Sequence, residues 1–293
     1  MNVLSLFDGI SCGKLALDKA GVAYDNYFAS EIDQYCLKIS NKNHPDIQQI
    51  GDVQNIQTQY LPKIDLLIGG SPCQGFSNAG NRLAFDDPRS ALFFNFVEIM
   101  KETKPRFFLL ENVRMKKEWV DIITEYMGIH PVLINSNAVS PQNRQRYYWT
   151  NIPNVGHPPM TSTDTLIDVL EDNPSDTYNP GKALLAKHDG GDYLNPEYRG
   201  QSNKVHDIYQ KAPCLCAGSK GYNYGFVRQG ERIRRLTPLE FERLQTLPDN
   251  YTEGVSDTQR YKACGNGWTV DVIAHIFKNL KFVQDYDARK NNS

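Results

Sequence analysis

From Met1 to about Asn151, short apolar runs alternate with stretches in which apolar residues recur every three or four positions, the pattern of a βαβ series. The runs Val3–Phe7, Tyr27–Ser30, Asp65–Ile68, Phe107–Leu110, Val132–Asn135 and Tyr147–Thr150 are predicted strands. Lys14–Ala20, Tyr35–Asn43, Ala91–Thr103 and Glu118–Tyr126 are predicted helices, placed to cover both faces of a parallel sheet. From about 154 to 226 the pattern dissolves into Pro, Gly, Asn, Asp and Tyr, with one helix expected at Thr165–Leu170, so a small irregular lobe is predicted there. Regular spacing returns over Leu236–Thr246, where Thr237-Pro238 reads as an N-cap followed by proline in the first turn. A last helix is predicted over Thr269–Leu280, with Asp285–Ser293 as a frayed polar tail. The expected organisation is α/β, with a first domain over 1–153, a lobe over 154–228 and a return to the first domain over 229–293.

Composition adds exclusions. The 293 residues, 40% hydrophobic and 23% charged, describe an ordinary globular chain able to bury a substantial core. The apolar run Val3–Phe7 is too short for a signal peptide, and no later stretch is long and apolar enough to span a membrane, so a cytoplasmic setting is expected. Six scattered cysteines (12, 36, 73, 214, 216 and 264) lack the spacing of a disulfide framework and suit a reducing compartment. Cys214 and Cys216 form the one close pair, without further ligands at ordered spacing, so no metal is expected. The formal net charge of −2 gives no global pull toward nucleic acid, and any such contact must come from a local basic surface.

Chemistry gathers where predicted strands end. The first strand runs into Phe7-Asp8-Gly9-Ile10-Ser11-Cys12-Gly13, a turn that either presents backbone amides to a nucleotide-like ligand, as in a Rossmann-like fold, or simply makes a tight bend. The second ends at Glu31, placed to accept hydrogen bonds from ribose hydroxyls, and Gly51-Asp52 brings an acid able to read an adenine amine. Three such turns in order point to an adenosine-type cofactor. The loop Gly69-Gly70-Ser71-Pro72-Cys73-Gln74-Gly75-Phe76-Ser77 exposes a cysteine at a strand end, a reactive setting for a thiol, although a small loop residue would look the same. Phe107–Leu110 leads into Glu111, an acid expected in a dry pocket where desolvation would let it carry a proton.

Beyond this the motifs become specific. Pro72-Cys73-Gln74, Glu111-Asn112-Val113, Gln142-Asn143-Arg144-Gln145-Arg146, Arg234-Arg235-Leu236-Thr237-Pro238 with Leu247-Pro248-Asp249, and Tyr261-Lys262-Ala263-Cys264-Gly265-Asn266-Gly267 resemble, in order, the motifs of the DNA cytosine-5 methyltransferase family. The resemblance implies a Rossmann-like S-adenosylmethionine-dependent methyltransferase fold with a target-recognition lobe. It implies Cys73 as covalent nucleophile on carbon 6 of cytosine, Glu111 at ring nitrogen 3, Arg146 at the base oxygen and Arg144 holding the loop. Around S-adenosyl-L-methionine, whose product is S-adenosyl-L-homocysteine, it places Phe7, Asp8, Gly9, Glu31, Ile32, Asp52, Val53, Pro72, Leu92 and Asn266, with Trp268 near the methionine end. Because Asn266 must return to the first strand, the last helix is expected against the amino-terminal domain.

The implied partner is double-stranded DNA, acted on by a monomer with the target base rotated out of the stack, in a bacterial or phage-infected cell that could hold a cognate restriction endonuclease. The lobe holds seven Lys/Arg against nine Asp/Glu between residues 154 and 228, so it is no basic patch and would read base edges with neutral groups. Gln74, Ser77, Lys220, Arg228, Arg232, Arg234 and Arg235 are the candidate DNA contacts, some of the arginines being structural instead; Gly218–Gly225 is either a groove-entering or a surface loop. Ser11-Cys12 and Trp268 depart from many bacterial members and look more like the animal de novo enzymes, and Thr246 stands where glycine is common. A transfer-RNA-modifying branch would carry a Cys-Phe-Thr element, an amino-methylating enzyme an acid or amide before Pro-Pro-aromatic, and neither is present. A silent DNA binder would have no need of Cys73, Glu111 and Arg146.

Overall fold

The computed structural model describes residues 1–72, 88–172, 174, 186–188, 191–193, 204–217, 224–230 and 232–291. The chain divides into two compact units, one made of Met1–Ile134, Gln145–His157 and Val272–Ser293, the other of Asn135–Arg144 and Pro158–Asp271.

The first unit is built on a seven-stranded sheet. Its strands are β1 (Asn2–Leu6), β2 (Asn26–Ser30), β3 (Gln48–Gln49), β4 (Leu66–Gly69), β5 (Phe107–Val113), β6 (Val132–Asn135) and β7 (Gln145–Thr150), in the order β3-β2-β1-β4-β5-β7-β6. The six strands predicted from apolar runs all form, with ends shifted by at most three residues. The sheet is not wholly parallel: β7 runs antiparallel to β5, pairing Leu109 with Thr150 and Val113 with Arg146. Helices α1 (Cys12–Ala20), α2 (Gln34–Asn43), α3 (Pro88–Thr103) and α4 (Lys117–Met127) connect the strands. Leu4, Leu6, Leu67 and Leu110 from the sheet pack with Phe93 and Phe96 of α3 and Ile123 of α4 in one buried core. Gly69 must be glycine here, since a Cβ would lie 2.9 Å from the Leu6 carbonyl and 3.1 Å from the Phe96 ring.

The second unit contains a five-stranded sheet, more regular than composition suggested. It is made of β8 (Ala186–His188), β9 (Gly191–Tyr193), β10 (Lys204–His206), β11 (Phe226–Gln229) and β12 (Arg232–Arg234), ordered β12-β11-β10-β9-β8. Thr165–Leu170 contributes a 3₁₀ turn, Leu166–Val169, rather than an α-helix. Helix α5 (Pro238–Leu244) starts as the sequence predicts: Thr237 caps it, Glu240 reciprocates in a capping box and Pro238 occupies the first turn. Helix α6 (Asp257–Asn266) was not predicted.

The last helix, α7 (Val270–Asn291), runs well past the predicted end at Leu280, so most of the expected polar tail is helical. It belongs to the first unit from Val272 onward, burying Ile273, Ile276 and Phe277. Gln284 exchanges hydrogen bonds with the Ala23 backbone (3.1 and 2.8 Å), and Arg106 pairs with Asp287 at 2.8 Å.

Candidate active site

Parallel pairing puts the carboxyl ends of four strands side by side. Leu6 is opposite Ser30 on one side and Gly69 on the other, and Gly69 is opposite Leu110. The turns after β1, β2, β3 and β4 therefore leave one edge of the sheet together, beside the second half of β5, where ligands of open α/β sheets sit.

The first turn is tightly coiled. Phe7, Gly9 and Ser11 all adopt the left-handed conformation (φ 56°, 61° and 61°), a costly choice for a bulky residue such as Phe7, of the kind that clusters at functional sites. Asp8 holds the coil from beneath: its N–H donates to the Ser30 carbonyl (3.0 Å), and its carboxylate accepts from Tyr27 Oη (2.8 Å) and Ser11 Oγ (2.6 Å). Burial pushes the Asp8 carboxyl above the usual carboxylate range, against the pull of the Ser11, Ser5 and Tyr27 hydroxyls. The Asp8 carboxylate is thus engaged by Tyr27 and by Ser11 of its own turn. A Cβ on Gly9 would meet nothing within 4 Å among the described residues.

Glu31 ties the second turn to the first. Its Oε2 accepts from the Gly9 N–H (2.8 Å), and its Oε1 accepts from the N–H groups of Ile32 (2.8 Å) and Asp33 (2.7 Å). The neighbouring Ile32 is 66% exposed, an unusual position for a branched apolar side chain. Ser30 Oγ donates to the Gly51 carbonyl (2.7 Å), bringing in the third turn, where Asp52 caps a short 3₁₀ turn through Gln54 N–H (3.0 Å) and Val53 is buried. Pro72 and Leu92 are half-buried. Carboxylate acceptors, an exposed aliphatic side chain and a glycine with room before it among the described residues suit an adenosine and its ribose.

Glu111 lies within β5, one residue past the pairing of Leu110 with Gly69. The side chains of Glu111 and Arg146 are nearly buried, and Arg146 Nε lies 3.0 Å from Glu111 Oε1, the two residues projecting from neighbouring strands β5 and β7. The expected dry pocket therefore includes a counter-charge: Glu111 is ion-paired rather than held alone by desolvation. Asn112 reaches back across the sheet edge, its Nδ2 donating to the Ser71 carbonyl and lying equally close to Ser71 Oγ (3.3 Å each). Asn112, whose place in the Glu111-Asn112-Val113 motif carries no chemistry by itself, fastens the start of the cysteine loop beside Glu111. Cys73, Gln74 and Ser77 lie outside the described residues, as does Lys220.

In the second unit, Arg144 is buried. Its guanidinium donates to the carbonyls of Leu215 (3.0 Å), Gly265 (3.1 Å) and Gly267 (2.9 Å). Asn266 is exposed at the last position of α6 and Trp268 is half-buried. Of the candidate phosphate contacts, Arg234 is a correction: it is fully buried, forked onto Glu240 (2.9 and 2.7 Å) and also donating to Gln229 Oε1. Arg235 is half-buried with its guanidinium 4.5 Å from the Phe226 ring centroid. The side chain of Arg232 lies outside the described residues. Arg228 is exposed and lines a cleft of about 1010 Å³ with Asn143, Lys204, Tyr209, Lys211 and Cys214. Lys204 and Tyr209 gave no sequence signal, because the three-residue strand β10 is too short to show a period and Tyr209 lies in the turn after it.

Comparison with known proteins agrees with this geometry. The model of the family "C-5 cytosine-specific DNA methylase" matches residues 1–282. The Type II methyltransferase M1.ScrFI of Lactococcus lactis subsp. cremoris is 30% identical over 310 residues, covering 95% of this chain and 77% of that protein. M.SsoII of Shigella sonnei is likewise 30% identical over 310 residues, covering 95% and 79%. Among solved structures, the Entamoeba histolytica methyltransferase EhMeth superposes with a TM-score of 0.77 at 19% identity, covering 96% of this chain and 98% of that one. The S. pombe Dnmt2 methyltransferase gives 0.72 at 20% identity, with the same coverage, and at such identities the likeness is one of fold. With its ordered motifs, a family match over nearly its whole length and the methyltransferase sheet order, the chain belongs to the C-5 cytosine-specific DNA methylase family and is a DNA cytosine-5 methyltransferase.

Proposed function

We propose that the enzyme methylates carbon 5 of cytosine in double-stranded DNA through a covalent adduct of Cys73 with a base rotated out of the duplex. The observation that carries this reading is the Glu111–Arg146 pair at the sheet edge, with the cysteine loop fastened beside it by Asn112 and Ser71. Carbon 5 is a weak nucleophile until carbon 6 has accepted a thiolate. The Cys73 sulfur adds to carbon 6, Glu111 holds a proton at ring nitrogen 3 as negative charge develops there, and Arg146 meets the base oxygen. The ion pair gives both side chains a defined direction before the base arrives, so little reorganisation is left for the reaction itself. After carbon 5 has taken the methyl group, loss of its proton expels Cys73. Such atoms are hidden within a duplex, which is why the base must leave the stack.

S-adenosylmethionine, when bound, supplies the electrophilic methyl group. Phe7, Gly9, Glu31, Ile32, Asp52, Val53, Pro72 and Leu92 would hold it at the strand ends, with Asp8 shaping the turn and Asn266 and Trp268 completing the set. Three of the roughly four lone-pair positions of the Glu31 carboxylate are filled by backbone N–H groups, so a ribose hydroxyl would find a carboxylate already fixed in direction. DNA recognition falls to the lobe over 154–228, with Arg228 on the cleft as the leading phosphate contact. A monomer acting alone or beside a restriction endonuclease fits this reading.

The test is transfer of labelled methyl groups to mixed-sequence duplex DNA and to transfer RNA, followed by nucleoside analysis, with wild type and Cys73→Ala. Label is expected in 5-methylcytosine from DNA, and its loss in Cys73→Ala with cofactor binding retained. Full activity of Cys73→Ala would overturn the covalent route; label in RNA alone would overturn the substrate.

A further inference from the structure

Gln245 lies just past α5, is fully buried, and spends every hydrogen-bonding position of its side chain. Its Nε2 donates to the carbonyls of Cys264 (2.6 Å) and Gly267 (2.9 Å), while its Oε1 accepts from Thr269 Oγ1 (2.8 Å) and Gln142 Nε2 (3.1 Å). The two carbonyls bracket Asn266 at the end of α6, where a helix leaves its last C=O groups without intrahelical partners. Arg144 donates to Gly265 and again to Gly267. Gly265 is itself pressed against the backbone of 216–217, where a Cβ would come within 2.5 Å of Cys216. The turn around Asn266 is thus clamped on three sides while the Asn266 side chain stays exposed.

We infer that Gln245 is a positioning residue for the cofactor: its amide fixes the turn that aims Asn266, and through Gln142 it ties that turn to the segment holding Arg144. This inference rests on the assignment of Asn266 to S-adenosylmethionine. Nothing about Gln245 requires contact with the ligand. Without its two donors the buried Cys264 carbonyl loses the partner Gln245 gives it and the Gly267 carbonyl keeps only Arg144, or the turn moves to find water. Either way Asn266 loses its direction.

The experiment is a double-mutant cycle on the full-length protein, read by calorimetric affinity for S-adenosylhomocysteine, with thermal unfolding as the check of fold. Gln245→Met keeps the length of the side chain and removes its donors; affinity is expected to fall about tenfold. In an Asn266→Ala background the same change is expected to have almost no further effect. A loss of equal size in both backgrounds, or undiminished affinity in folded Gln245→Met, would overturn the inference. Should Gln245→Met fail to fold, Thr269→Val removes a single donor to Gln245 Oε1 and is run through the same cycle, with a smaller loss in the same direction expected and the same criteria applied. If Asn266→Ala alone leaves affinity unchanged, the assignment of Asn266 to the cofactor is wrong and the positioning role goes with it, which is distinguishable from the first failure by that single variant.

Discussion

Arg228 and Arg234 sit on adjacent strands and have opposite fates. In the β11–β12 pairing Val227 faces Arg234 and Arg228 faces Ile233, so alternation along each strand puts the two arginines on opposite faces of the sheet. The face with Val227 is buried, and Arg234 survives there only because Glu240 and Gln229 take up its donors, with Glu240 itself held by the Thr237 and Glu171 N–H groups. Removing one partner of such a pair strands the other charge in a dry site. Arg234→Ala is expected to destabilise the protein by about 3–5 kcal/mol, read by urea unfolding. Arg228→Ala should change stability by less than about 0.5 kcal/mol. It should instead weaken DNA binding for all sequences alike and flatten the salt dependence by about one phosphate contact. Equal stability losses in the two variants would contradict these placements.

At the level of elements, the junction between α5 and α7 shows how a departure from the family pattern is accommodated. Thr246 stands where glycine is common and does adopt a left-handed conformation (φ 55°), which is strained for a β-branched residue. Its hydroxyl compensates, donating to the Gln245 carbonyl (2.7 Å) and accepting from Asp271 N–H (2.9 Å), one of the orphan donors of the first turn of α7. Thr246→Gly removes strain and hydroxyl together, so a net change under about 1 kcal/mol is expected in thermal unfolding. Thr246→Val keeps the strain and loses the hydroxyl, and should cost about 1–3 kcal/mol. A harmless valine would show that the hydroxyl does not cap the helix. The same elements show what sequence can carry. Strands and helices of the first domain were legible because each has its own period, and the acids at strand ends because they break apolar runs. The antiparallel direction of β7 is not encoded in any period. Helix α6 is polar along most of its length and buries mainly Tyr261, Ala263, Cys264 and Gly265, which leaves little amphipathic signal. The far end of α7 reads as a tail because its support, from Ala23 and Arg106, comes from distant sequence. Arg234 could not be told from Arg228 without knowing the register.

For the molecule as a whole, three histidines make stability depend on pH in the same sense. Burial pushes His206 in the second unit and His44 and His275 in the first below the ordinary histidine value of 6.5. Burial outweighs the Tyr224 carbonyl at His206 and the Gly156 carbonyl at His275, both of which favour the charged ring; at His44 it is reinforced by Lys14 and opposed by Asp18 and Asp46. A depressed value in the folded state means that the unfolded chain takes up protons first as the solution is acidified. The contribution is therefore complete above about pH 6.5 and is lost as pH falls below it, until the folded histidines protonate in turn. Asp46, held down by Lys14, and Asp249, held down by Arg243, extend the loss to more acidic solution. The buried His206 and His44 each contribute at most about 1.4 kcal/mol per pH unit, and the half-buried His275 less. Urea unfolding between pH 7.5 and 5 is expected to give a stability that is level above 6.5 and declines beneath it, with a shallower decline in His206→Gln. A stability that stays level to pH 5, or rises on acidification, would mean that these rings are not held neutral by burial.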